Sequence, residues 1–135
     1  MRYALLFPGQ GSQEVGMLAA LAAAHPVIDE TLKEAADALG HDLVGLIRNG
    51  PAEELNKTRN TQPALLAASV AVARLWQAQG GPAPVALAGH SLGEYSALVV
   101  AQALNFADAL KLVELRGELM QTAVPQGVDV ILDID

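Results

Sequence analysis

The stretch Val85-Ala86-Leu87-Ala88-Gly89-His90-Ser91-Leu92-Gly93-Glu94 is a short apolar run that ends in Gly-x-Ser-x-Gly and continues into Tyr95-Ser96-Ala97-Leu98-Val99-Val100-Ala101. The pattern fixes only three positions and also occurs in ordinary glycine-serine turns. Here a strand-like run precedes it and a helix-like run follows, which is the context of a nucleophile elbow, a serine on a sharp turn from strand to helix. Glycines two residues before and two after the serine remove side chains that the crowded backbone would not accommodate, and Gly89 and Gly93 hold those places. The helix beginning near Leu92 aims its free N–H groups and positive dipole end at any oxyanion formed above the turn. Ser91 is therefore the candidate nucleophile.

Outward from this stretch, 135 residues suit one domain over 1–135, long enough to bury a core without disulfides or metal staples. The composition is 52% hydrophobic but only 4% aromatic. Such a core is built from Ala, Leu and Val, which favours close-packed helices on a sheet and predicts a three-layer α/β fold. With no cysteine, the chain has no disulfide, thiolate metal site or cysteine nucleophile, and a cytoplasmic location is the default. The opening Met1-Arg2-Tyr3-Ala4-Leu5-Leu6-Phe7-Pro8 is too short an apolar run for a signal peptide or a membrane span, and reads as a buried first strand. Net charge is −7, with eight basic residues scattered singly, so no basic stripe exists to track a phosphate backbone. Neither a nucleic acid nor a membrane is expected as a partner.

Taken in order, Tyr3–Phe7 is an apolar run closed by Pro8-Gly9, consistent with a buried parallel strand. A polar loop, Gln10-Gly11-Ser12-Gln13, follows. Met17–Ala24 reads as an alanine-rich helix, and Pro26 opens another with an apolar stripe at Ile28, Leu32, Ala35 and Leu39 and a stop at Gly40. Asp42 caps a short helix through Ile47, and Ala52–Asn56 is a further helical piece. Asn60 or Thr61 is the expected cap of a long helix with Pro63 in its first turn, ending near Gln79 before Gly80-Gly81-Pro82. Asn105-Phe106-Ala107-Asp108 resembles a capping box, and opens a helix to about Gln121 whose stripe of Phe106, Leu110, Val113, Gly117 and Met120 is expected to pack on the sheet. Arg116 lies beside that stripe, its guanidinium either extended to solvent or turned toward the elbow. Val128–Asp135 alternates apolar residues with aspartates and reads as a half-buried edge strand.

Four segments together carry a resemblance: Phe7-Pro8-Gly9-Gln10-Gly11-Ser12-Gln13, Asn60-Thr61-Gln62-Pro63-Ala64-Leu65, Gly89-His90-Ser91-Leu92-Gly93-Glu94 and Arg116-Gly117-Glu118-Leu119-Met120. Over roughly residues 3 to 127 the chain resembles the malonyl-CoA:acyl-carrier-protein transacylases. A general esterase would show a His-Gly-Gly-Gly type oxyanion loop, which is absent. The resemblance implies ping-pong acyl transfer: the serine takes an acyl group from a CoA thioester and passes it to the pantetheine thiol of acyl carrier protein. It puts the nucleophile on Ser91, the oxyanion donors on the backbone N–H groups of Gln10 and Leu92, and the carboxylate-binding arginine on Arg116. A guanidinium suits that role, since it can grip a carboxylate with two parallel hydrogen bonds. Gln62 corresponds to a glutamine lining the pocket, and His90, beside the nucleophile, is a pocket contact rather than a base. No cofactor is implied beyond the CoA thioester, which is substrate.

The departures shape the expectation. Family members are about twice as long, and their later half supplies a ferredoxin-like subdomain, the histidine base and a glutamine that orients it. His25 and His41 match no catalytic position. Val128–Asp135 resembles the family's last core strand joined directly to the preceding helix, giving three parallel strands at Tyr3–Phe7, Val85–Ala88 and Val128–Ile134. Gln102 stands where the family usually has a helix-ending glycine. The expectation is a shortened transacylase core with impaired activity, the alternatives being a non-enzymatic scaffold or a weak serine esterase. Transfer to an acidic carrier protein is expected to be slow for a chain of this charge. A dimer would form through the apolar surface that the later half covers in the family.

Overall fold

The computed structural model describes residues 2–123. In chain order these form β1 (Ala4–Phe7), α1 (Ala19–Ala24), α2 (Pro26–Leu39), α3 (Leu43–Asn49), α4 (Ala52–Leu55), α5 (Thr58–Ala78), β2 (Ala86–Gly89), α6 (Gly93–Val100) and α7 (Phe106–Ala123). The strands pair in parallel with Ala4 opposite Ala86 and Phe7 opposite Gly89. Tyr3 and Phe7 extend the ladder, their carbonyls accepting from the N–H groups of Val85 at 2.9 Å and His90 at 3.1 Å. The mixed α/β class and the parallel pairing are those expected. The third expected strand, within Val128–Asp135, lies outside the described residues.

β1 is less enclosed than its apolar sequence suggests. Phe7 is buried, but Ala4 is exposed and Leu6 is 77% exposed. Among the described residues the sheet has two strands, so β1 has a single neighbour and nothing covers Leu6. The core sits instead among the helices, where α5 is buried along most of its length between α2 and α7. Ile28, Leu32 and Ala35 face it from α2, while Phe106, Leu110 and Val113 face it from α7.

Local chemistry accounts for most helix ends. Pro26 is the first residue of α2, and Gly40 closes that helix at φ 78°, a left-handed conformation open to glycine at little cost. Asp42 caps α3 by accepting from the Gly45 N–H at 2.8 Å, and Asn105 caps α7 by accepting from the Asp108 N–H at 3.2 Å. The start of α5 differs from expectation. It opens at Thr58 rather than after Asn60 or Thr61, which puts Pro63 inside the helix. The Lys57 carbonyl accepts from both the Asn60 and Thr61 N–H groups, and Thr61 Oγ1 donates to the Leu55 carbonyl at 2.6 Å. These bonds build a turn ahead of the proline, which lacks the N–H that would have reached the Arg59 carbonyl.

The stripe of α7 also lies elsewhere than expected, on α5 and α2 instead of the sheet. α6 packs against both strands, so α7 finds its apolar partner one layer further out. Met120 of that stripe is 44% exposed. No helix among the described residues is long and apolar enough to cross a membrane.

Candidate active site

The turn between β2 and α6 is as tight as the sequence requires. Ser91 has φ 52°, left-handed for a residue with a Cβ, a strain found at nucleophile elbows. A Cβ on Gly89 would strike the backbone of Gly93, and one on Gly93 would strike the carbonyl oxygen of Phe7. The first turn of α6 therefore rests directly on the carboxyl ends of both strands, and only glycine permits that approach. Leu92, 1% exposed, anchors the turn in the core, while Ser91 and His90 stay exposed.

Above this turn the structure gathers residues distant in sequence. Arg116 of α7 donates from Nη2 to Ser91 Oγ at 3.2 Å and from Nη1 to Gln62 Oε1 at 2.9 Å. Its Cζ lies 5.6 Å from the centroid of the Tyr95 ring. The guanidinium is thus held between a hydroxyl, an amide oxygen and an aromatic face, a cation–π contact contributing about 0.5–1 kcal/mol in a partly exposed setting. Gln62 is 1% exposed and uses its other end as well, Nε2 donating to Met120 Sδ at 3.3 Å. The sequence left two courses open for Arg116, and the guanidinium takes the one toward the elbow.

The loop after β1 closes the site from the other strand. Gln10 is exposed, and its Nε2 donates to Thr58 Oγ1 at 3.2 Å. Gln13 folds back to accept from the Gly11 N–H at 2.8 Å and donates to Asn56 Oδ1 at 2.8 Å. Among the described residues, neither the Gln10 nor the Leu92 backbone N–H meets an acceptor. Both amides lie at the carboxyl end of the parallel strands, the edge where open α/β sheets place their sites. His90 sits against this loop, since a Cβ on Gly9 would lie 2.8 Å from the His90 carbonyl oxygen and 3.0 Å from its Nδ1.

Two neighbours were not legible as site residues. Tyr95 stands four residues after Ser91, and Met120 four after Arg116, one helical turn along the same face in each case. That spacing is the only sign the sequence carried. The other two histidines lie apart from Ser91: His25 precedes α2, and His41 Nε2 hydrogen-bonds Glu114 Oε1 at 2.6 Å. Among the described residues the only hydrogen bond to Ser91 Oγ comes from Arg116.

Comparison with known proteins identifies the family of the chain. The sequence profile described as acyl transferase domain matches residues 4–131. Malonyl CoA-acyl carrier protein transacylase of Escherichia coli (strain K12) is 64% identical over 126 residues, 93% of this chain. An acyl carrier protein S-malonyltransferase from Vibrio cholerae superposes with a TM-score of 0.91 at 60% identity, covering 94% of this chain and 42% of that one. A complex of a type II PKS acyl-carrier protein with its malonyl-transacylase gives a TM-score of 0.91 at 63% identity, over 94% of this chain and 41% of that one. The chain spans 41% of the length of the curated E. coli relative.

Proposed function

Because the chain belongs to the acyl transferase domain family, we propose that it carries the nucleophile and carboxylate-recognition part of a malonyl-transfer site. The observation that carries this is the 3.2 Å hydrogen bond from Arg116 Nη2 to Ser91 Oγ, which sets a fixed cation beside the one hydroxyl on a strained elbow. A malonyl thioester needs both features. Its carbonyl must meet a nucleophile, and its free carboxylate must meet a cation a few ångströms away.

In this scheme Ser91 Oγ attacks the thioester carbonyl, forming the C–O bond while the hydroxyl proton leaves to a base. The N–H groups of Gln10 and Leu92 stabilise the oxyanion, as preorganised backbone donors do in other acyl transfers. Breaking the C–S bond releases CoA as the thiol and leaves a malonyl ester on Ser91. Arg116 holds the carboxylate, Gln62 holds Arg116, and His90 lines the pocket beside the elbow. The acceptor is the pantetheine thiol of acyl carrier protein, whose attack on the ester restores the Ser91 hydroxyl.

The base sets the rate. No histidine among the described residues bonds Ser91, and serine is a poor nucleophile without a proton acceptor, so the chain alone acylates slowly. The net charge of −7 opposes capture of an acidic carrier protein, and transfer to it is slower still at low ionic strength.

The test is incubation with malonyl-CoA followed by intact mass measurement. A single malonyl adduct that disappears in Ser91→Ala supports the assignment. An adduct of equal yield in Ser91→Ala, or none after prolonged incubation with an added imidazole base, overturns it.

A further inference from the structure

The guanidinium of Arg116 has two claimants. We infer that Arg116 is a donor shared between the nucleophile and the acyl carboxylate, so that only a substrate bearing a free carboxylate draws it off Ser91 Oγ. Acyl selection and release of the nucleophile are then one event. The inference rests on the assignment of Arg116 as the carboxylate ligand, and goes beyond it by giving the arginine a second, competing role.

The geometry supports sharing because the two ends of the guanidinium are held differently. Nη1 is fixed at 2.9 Å by Oε1 of Gln62, a side chain 1% exposed and pinned at its other end by Met120. Nη2 rests on a neutral hydroxyl at 3.2 Å, at the exposed side of the site. A guanidinium–carboxylate pair joins opposite charges and can be bidentate, whereas the bond to Ser91 Oγ has one charged partner and a single contact. A carboxylate arriving over the elbow therefore displaces the hydroxyl as acceptor for Nη2, while the bond to Gln62 keeps the head group in place. The Tyr95 ring, 5.6 Å from Cζ, adds a cation–π contact that helps keep the head group over the elbow.

The consequence for the nucleophile is direct. A serine oxygen that accepts from Arg116 has one lone pair committed, and the attacking pair must come from what remains. A malonyl group frees that lone pair. An acetyl group, with no second carboxylate, leaves it committed. Discrimination thus acts on the reactivity of Ser91 as well as on binding.

Affinity for the malonate dianion tests this without any acyl chemistry. If Ser91 competes for Arg116, removing its hydroxyl strengthens malonate binding. Ser91→Ala is expected to bind malonate about three- to tenfold more tightly than the unmodified chain in isothermal titration, the range set by the net worth of one hydrogen bond. Ser91→Gly, which also relieves the positive φ, is expected to match it, so a folding defect in one variant does not decide the outcome. Equal or weaker malonate binding in both variants overturns the shared-donor inference, and so does absence of binding in every form. Retention of full malonate affinity in Arg116→Ala overturns instead the carboxylate assignment on which it rests.

Discussion

Gly117 of α7 lies against Thr58 of α5 so closely that a Cβ on the glycine would sit 2.5 Å from the Thr58 carbonyl oxygen and 2.7 Å from the Arg59 Cα. The contact fixes the height of the C-terminal half of α7 against the opening turn of α5. Arg116, one residue earlier, is carried to Ser91 by that placement.

Gly117→Ala is therefore expected to push the two helices apart. Backbone atoms cannot yield as a flexible side chain would, so the cost is about 1–3 kcal/mol. The melting temperature should fall by roughly 3–10 °C. Malonate affinity should fall as well, because the guanidinium moves with its helix. An unchanged melting curve would show that the helix contact is soft.

Arg116→Ala should weaken malonyl-CoA binding about ten- to a hundredfold, the equivalent of roughly 1.5–3 kcal/mol for charged hydrogen bonds. Acetyl-CoA has no second carboxylate and should be nearly indifferent. Equilibrium binding in a Ser91→Ala background, where no acyl-enzyme forms, separates the two. Equal losses for both thioesters would contradict the assignment of Arg116.

Gln62→Leu tests the support behind that arginine. The substitution keeps approximate volume at a position 1% exposed but removes the acceptor for Arg116 Nη1 and the donor to Met120. Stability should fall by no more than about 1 kcal/mol, since Arg116 is only partly buried and water can replace the lost acceptor of its Nη1. Malonate affinity should drop about three- to tenfold as the guanidinium loses its fixed end. A large loss of stability with intact affinity would reverse this assignment of roles.

Gln102 ends the elbow helix at φ 60°, its N–H reaching the Val99 carbonyl at 3.0 Å. A left-handed conformation costs a side-chain-bearing residue about 1–2 kcal/mol, partly offset because glycine gives up more backbone freedom on folding. Gln102→Gly should thus stabilise the chain by roughly 0.5–1 kcal/mol, a rise of about 2–5 °C in melting temperature. A fall would mean that the glutamine side chain contributes more than the strain it causes.

Short-range features of the fold are legible in the sequence, and contacts between distant elements are not. Gly40, Asp42 and Asn105 act where their types predict, because caps and left-handed stops depend on a few adjacent atoms. The elbow was legible in part for the same reason, Gly89 answering to a clash with Gly93 four residues on, whereas Gly93 answers to Phe7 on the other strand. Pro63 misled, since a proline near a helix start suggests the first turn, whereas Lys57 and Leu55 carbonyls build the turn earlier. The packing of α7 on α5 was invisible to periodicity, which marks an apolar face but not the element that covers it. Gln62 meets Arg116 through that packing and Tyr95 through the contact of α6 with α7, while Met120, one turn on along the same helix, reads in the sequence as another core residue of its stripe.

The positive φ of Ser91 sets the backbone at the elbow against its own side chain. At 52° the backbone there suits glycine, so Ser91→Gly relieves the strain of a left-handed side chain while losing the hydrogen bond from Arg116. The backbone conformation therefore gives no reason for a side chain at this point. A hydroxyl here is held at a cost in backbone strain that glycine would not incur.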